Sequence, residues 1–297
     1  MRSLFSDLHA FLRVPYFPLM DSRRIYKQFG MSKAISWFFI RLLVPFGISQ
    51  AKPGGGGTVA ALREFGYAEL PARAHAEVRE LVAFFLERQR LADSQKYPSL
   101  TDYFEYWRNR RTLRPPGLNA LGEDCPLTRL SRDPSITAIV CEYLGLPGHR
   151  IRVQAGIDAL IRVEGNATLI GGYDGAVEFH RDIDSWKWVK VFVYLTDTAE
   201  GDGHHEMFPK SHLRTPVSLI PIRRYQRSEI LAAMPELELR KICGPAGFCF
   251  IENTFVFHRG TEPTGNDRLI AILTYYDESV SSWMLADETY PLAERPH

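Results

Sequence analysis

His180 and Asp182 stand two residues apart in the stretch E-F-H-R-D-I-D-S-W at 178–186. On an extended strand alternate side chains share a face, so this imidazole and carboxylate lie side by side. Such a pair can share a metal ion. A second histidine completes a 2-His-1-carboxylate face, which suits non-haem Fe(II) and leaves positions open for O2 and a co-substrate. That histidine is expected to be His258, in F-V-F-H-R-G. Arg268 follows ten residues on (268 − 258) and is available to pair with a dicarboxylate.

Other metal-capable residues fit less well. His204 and His205 are adjacent, so on a strand they point to opposite sides and do not readily share one ion; they read as loop residues. Cys125, Cys141, Cys243 and Cys249 contain no C-x-x-C pair. That argues against a cysteine zinc site and for reduced, buried thiols in a cytosolic protein.

The elements that must position the pair change texture at residue 151. From there short alternating runs are separated by Gly, Pro and Asp/Asn turns: 151–163, 177–182, 188–196, 238–242, 247–252, 254–258 and 268–276. This pattern predicts a mainly β fold, a sandwich or barrel, with one helix around 226–234. In 188–196 one face carries Val189, Val191, Val193 and Leu195, suited to packing on helices. The other carries Trp188, Lys190, Phe192, Tyr194 and Thr196, a polar-aromatic face fit for a pocket. Arg268 shares a face with Ile270, Ile272 and Thr274. A long cation there needs an anionic partner, because burying it unpaired is costly. For a purely structural arginine that partner is Asp267 or Glu262.

Ahead of this half, flanking helices are predicted over 58–66, 72–92, 103–110 and 136–144. The run K-P-G-G-G-G at 52–57 reads as a linker. It divides a helical extension, 1–52, from a main domain, 53–297. The apolar run 34–49 carries Arg41 and Pro45 and is shorter than the ~20 residues that span a bilayer. Three readings of the extension stay open: a helix packed on the domain, peripheral membrane contact through 20–49, or a partner-binding helix. In the second, Arg23, Arg24, Lys27 and Lys33 meet headgroups and Trp37, Phe38 and Phe39 insert. Arg2, Asp7, His9 and Arg13 interrupt the apolar core a secretory signal needs, in line with a cytosolic setting. A formal net charge of +1 argues against a nucleic-acid binder that relies on a basic field. The cluster Arg108, Arg110, Arg111 and Arg114 reads equally as a solvated helix end or a contact for an acidic substrate.

The ordered set H-R-D (180–182), G-x-x-x-x-x-P-K-S-H (203–212), His258 and Arg268 resembles the phytanoyl-CoA dioxygenase family of Fe(II)/2-oxoglutarate oxygenases. The family's P-G-S-H has its counterpart in 209–212, with Lys210 replacing glycine. The resemblance implies a double-stranded β-helix (jelly-roll, cupin-like) core carrying flanking helices. It implies iron on His180, Asp182 and His258, and Arg268 on the distal carboxylate of 2-oxoglutarate. Trp186 and Lys190 would lie beside that co-substrate, and Gly260 would be a small residue touching it. Related halogenases replace the metal carboxylate with glycine or alanine; Asp182 is present, so the resemblance implies hydroxylation or another oxidation rather than halogenation. Members of the family act on acyl-CoA thioesters, amino-acid derivatives and natural-product intermediates, which leaves a small-molecule or lipid-linked substrate. Two other functions stay open: a non-catalytic jelly-roll binding or scaffold module, and an iron oxygenase that does not use 2-oxoglutarate.

Overall fold

The computed structural model describes residues 57–70, 75–86, 99–114, 118–119, 125–165, 177–182, 185, 187–220, 223–277 and 289–292. The readings made for residues 1–52, and for Trp186, lie outside them. The helices α1 (Gly57–Phe65), α2 (His75–Leu86), α3 (Leu100–Asn109), α4 (Pro126–Ser131) and α5 (Pro134–Leu144) come first, interrupted by strands β1 (Tyr67–Glu69) and β2 (Leu118–Asn119). Strands β3 (Ile151–Leu160), β4 (Trp188–Tyr194) and β5 (His205–Met207) follow, then α6 (Arg227–Ala233). The β-rich half closes with β6 (Arg240–Ile242), β7 (Cys249–Glu252), β8 (His258–Gly260), β9 (Arg268–Asp277) and β10 (Thr289–Pro291).

Two antiparallel sheets face each other. The larger runs β1-β7-β4-β9-β3-β10 with β2 also on β3, and the smaller runs β6-β5-β8. Together they form the jelly-roll core, with helices on its outside. Alternation decides which side of the large sheet meets which partner. Val189, Val191, Val193 and Leu195 pack outward, in one buried cluster with Leu62, Leu81, Val140 and other helix residues. Phe192, Tyr194, Phe250 and Ile270 point inward and meet Met207 and Ile242 of the small sheet. The register that fixes these faces is continuous: Val191 pairs with Ile251 on one side and Leu273 on the other. A one-residue slip would turn the apolar row inward and the pocket face onto the helices.

Local chemistry sets the helix ends. The Asp133 side chain accepts from the amides of Ser135 and Ile136, Pro134 opens α5, and Gly145 closes it in the left-handed conformation at φ 63°. That is a capped start and a glycine stop.

Two predicted strands take other forms. Residues 177–182 make only two isolated bridges, Phe179 to Tyr225 and His180 to His258. Residues 254–257 are a turn, closed by the Val256 amide on the Asn253 carbonyl at 3.0 Å, and the strand begins at His258. Alternating apolar residues mark burial in both cases, and buried turns carry the same pattern as strands.

Candidate metal centre

His180 and His258 come together through the main chain. Each donates its amide to the other's carbonyl at 3.0 Å, and their rings lie 4.3 Å apart. The Asp182 amide donates to the Thr254 carbonyl at 2.8 Å. His180 Nε2 is then 3.7 Å from Asp182 Oδ1, and His258 Nε2 is 3.6 Å from Asp182 Oδ2. One ligand atom from each of the three residues lies within 4.8 Å of the others. The predicted trio is assembled.

The two imidazoles are set in the tautomer a metal needs. His180 Nδ1 bonds the Glu178 carbonyl at 2.8 Å and His258 Nδ1 the Val256 carbonyl at 3.0 Å. A carbonyl only accepts, so each Nδ1 carries a proton, and in the neutral ring each Nε2 keeps the lone pair that a metal takes. Burial, followed by the neighbouring His258, holds the His180 pKa well below the usual value, so that ring is neutral. For His258 burial also acts downward, but the hydrogen bond to Asp182 and the charges of Glu252 and Asp182 outweigh it and raise the pKa. Burial pushes Asp182 upward, yet Lys190 and the two histidines hold it well below the carboxylate range. Lys190 Nζ donates to Asp182 Oδ2 at 2.7 Å. The resemblance placed Lys190 beside a co-substrate; its partner in the structure is the candidate metal carboxylate.

The P-K-S-H segment braces His258 from behind. Ser211 Oγ accepts the Phe257 amide at 2.9 Å and donates to the Phe208 carbonyl at 2.7 Å. His212 Nε2 bonds the Arg63 carbonyl at 3.0 Å, and the Lys210 amide donates to the Phe65 carbonyl at 3.1 Å. The segment thereby ties α1 to the turn that leads into His258. Gly66, at φ 77°, makes the close approach there, since a Cβ would stand 2.3 Å from Val256 Cγ1.

Arg268 is buried, with 4% of its surface exposed. Its Nη1 donates to the Gly203 carbonyl at 2.6 Å, and its Nε has no partner. Among the described residues it makes no ion pair. The expected structural partner, Asp267, instead bonds Arg108 and accepts the Arg162 amide at 2.8 Å. Asp158 is held by Arg114 at 3.1 Å. Burial lowers the Arg268 pKa, opposed by Tyr194 and Asp158. Gly260 makes the room: a Cβ there would lie 3.1 Å from Arg268 Nη1 and 2.9 Å from Leu160 Cδ1. The result is a buried cation with spare donors, an arrangement chemically able to receive a carboxylate.

Two inward-facing groups escaped the sequence reading. His205 is not in a loop; it lies on β5 and stacks on His258 at 5.4 Å, with planes 13° apart. Its Nε2 is 2.8 Å from Glu252 Oε2, and Glu252 Oε1 is 3.8 Å from His258 Nδ1. Glu252 is wholly buried. Parity could have found it, because Glu252 shares the inner face with Phe250. His204 does turn the other way, bonding Thr261 Oγ1 through Nδ1 at 3.0 Å.

No protein-family model matches the chain, and no curated protein matches it in sequence. Solved structures do match. EctD from S. alaskensis with bound Fe superposes at a TM-score of 0.52 and 15% identity, covering 84% of this chain and 86% of that one. EctD from S. alaskensis with 2-oxoglutarate and 5-hydroxyectoine superposes at 0.50 and 15% identity, covering 76% and 77%. The epimerase SnoN in complex with Fe3+, alpha ketoglutarate and nogalamycin RO gives 0.47 and 19% identity, over 74% and 82%. At the identity seen with EctD, what is shared is the jelly-roll fold.

Proposed function

We propose that the chain is a non-haem Fe(II)- and 2-oxoglutarate-dependent oxygenase that hydroxylates an unactivated C–H bond of a small-molecule or lipid-linked substrate. The observation that carries this reading is the pairing of two features. Two Nε2 atoms and one carboxylate converge from main-chain-locked segments, and a buried arginine on the inward-facing row of β9 has donors left to bind an anion. The donor set fits Fe(II), since neutral imidazoles and a carboxylate are its ligands in the 2-His-1-carboxylate arrangement. Arg268 and the cradle at Gly260 fit the far carboxylate of a 2-oxo diacid. EctD, on the same fold, has been solved with Fe and with 2-oxoglutarate, which supports the reading.

When bound, iron with 2-oxoglutarate and O2 supplies oxidative decarboxylation to succinate and CO2, coupled to oxidation of the substrate C–H. The chain's own residues do the positioning. His180 and His258 each offer Nε2, and Asp182 offers Oδ1 while Lys190 holds Oδ2. The Lys190 ammonium keeps that carboxylate ionised and fixes its rotation. Arg268 would hold the distal carboxylate through guanidinium donors that the Gly203 carbonyl leaves free. Phe192, Phe250 and Ile270 line the inner face and keep it dry, which strengthens each charged contact. The motif carries Asp182 where related halogenases have glycine or alanine, which favours hydroxylation or another oxidation over halogenation.

The test is succinate release from 2-oxoglutarate by the purified chain with Fe(II), without added substrate, beside Asp182→Ala and Arg268→Ala. Slow uncoupled turnover that disappears in both variants is expected. Absence of turnover together with no measurable 2-oxoglutarate binding would sink the reading in favour of a non-catalytic jelly-roll module. Binding of Fe(II) without 2-oxoglutarate would redirect it to an iron oxygenase of another kind.

A further inference from the structure

Arg181 lies between the two ligands of the H-R-D motif, and alternation turns its side chain to the opposite side from theirs. It is 7% exposed, among the apolar side chains around Phe179, Leu219 and Phe257. Its Nη1 donates to Thr215 Oγ1 at 3.1 Å, and its Nη2 donates to the carbonyls of Leu219 and, at 3.5 Å, Ile220. The guanidinium carbon stands 4.7 Å from the ring centres of both Phe255 and Phe257. Tyr225 is a further hydrogen-bond partner. No carboxylate pairs with Arg181 among the described residues.

The partners of this one side chain are the backbone neighbours of the site. Phe257 precedes His258, and Phe255 follows Thr254, whose carbonyl accepts the Asp182 amide. Thr215, Leu219 and Ile220 belong to the segment that follows P-K-S-H. A buried cation with no counter-ion is expensive, and an apolar side chain of similar length would fill the space at lower cost. What the guanidinium adds is geometry: a planar fork that reaches several acceptors while lying against aromatic rings, which an ammonium cannot do.

We propose that Arg181 is a positioning residue of the metal centre, pinning the His180–Asp182 segment to the turn that delivers His258. This rests on reading His180, Asp182 and His258 as metal ligands. It separates the ligand pair from the device that holds it: main-chain bonds set the spacing of the two segments, and Arg181 sets their relative tilt.

Co(II) serves as a spectroscopic probe of the full chain, read by titration of its d–d absorption and set beside thermal melting. The variants are Arg181→Met, Arg181→Lys and Phe257→Leu. Arg181→Met is expected to melt near the wild-type temperature while its Co(II) Kd rises about 10-fold or more, with an altered d–d spectrum. Arg181→Lys keeps charge without the fork and should show a loss in the same direction. Phe257→Leu, which removes one ring and leaves the arginine, should give a smaller loss. Wild-type affinity and spectrum in Arg181→Met and Phe257→Leu, whatever their melting temperatures, would overturn the proposal. Should Arg181→Met not fold, the Lys and Leu variants decide by the same criterion. If wild-type protein itself binds no Co(II), the metal-site reading falls and takes this inference with it.

Discussion

Replacing Arg268 with methionine should move stability and ligand binding in opposite directions. In the ligand-free protein the change removes a cation that is 96% buried (100 − 4) and has no ion-pair partner among the described residues. An uncompensated buried charge carries a penalty of several kcal/mol. Against that, the Gly203 carbonyl loses its 2.6 Å donor, a loss of about 1–3 kcal/mol for a buried acceptor left unpaired. The net expectation is a ligand-free variant as stable as wild type, or more stable by about 1–2 kcal/mol. Binding should suffer instead. Removing one side of a buried charge-assisted pair costs about 2–5 kcal/mol, or roughly 30- to 5,000-fold in the Kd for 2-oxoglutarate. Urea unfolding of Zn(II)-loaded protein with and without 2-oxoglutarate reads both effects. At a concentration of about 100 times the wild-type Kd, wild type should gain about 2.7 kcal/mol, and a variant weakened about 100-fold only about 0.4 kcal/mol. A variant that is less stable without ligand, yet keeps the full ligand-induced gain, would show that Arg268 is structural and would refute the reasoning.

Gly260→Ala should weaken 2-oxoglutarate binding and leave Co(II) titration unchanged, because the atoms nearest the new methyl group are Leu160 Cδ1 at 2.9 Å and the Arg268 guanidinium at 3.1 Å; equal loss of both affinities would contradict this. Lys210 sits at φ 68° and its Nζ pairs with Glu64 at 3.1 Å on the surface. Lys210→Gly relieves the left-handed backbone and Lys210→Ala does not, so glycine should be the more stable of the two by about 1 kcal/mol in chemical unfolding. Equal stability would mean that the position carries no strain. For Glu206, burial acts to raise the pKa, but His204 and Arg259 overcome it and bring the value from 4.5 down to about 2. A carboxyl with a depressed pKa contributes stability above its unfolded value and loses it as pH falls toward the folded one. The stability gap between wild type and Glu206→Gln should therefore narrow from pH 4.5 to 2; a constant gap across that window would rule out the pairing.

The convergence of His180, Asp182 and His258 was legible because it depends on few residue types at fixed parity. The spacing of His180 and Asp182, the later His258 and the alternation in 188–196 each correspond to what folds. The parts that misled share a physical cause. Residues 254–258 are apolar because they are buried, and burial alone does not tell a turn from a strand. The turn is nonetheless what brings the Thr254 carbonyl to the Asp182 amide. His205 looked like half of an adjacent histidine pair in a loop, since no local pattern announces a three-residue strand such as β5. Glu252 ends an apolar run, and its parity with Phe250 places it inside. Arg268 was expected to find an anion, and the nearest sequence neighbour was a reasonable candidate. Only the fold reveals that Asp267 points away to Arg108, leaving the arginine for something else.

The reciprocal hydrogen bonds between His180 and His258 also bear on how readily such a protein can change its chemistry. Both are main-chain bonds, so a substitution at either position leaves them in place unless it introduces proline, which has no amide hydrogen. The frame that spaces the two side chains is therefore independent of what those side chains are. Exchanging a ligand for another donor alters the coordination set without dismantling its support, and the long stretch between the two positions can be rebuilt around a frame that stays closed. A scaffold of this kind lets metal preference and pocket shape vary separately, which makes it a practical starting point for installing ligand sets that the chain does not carry.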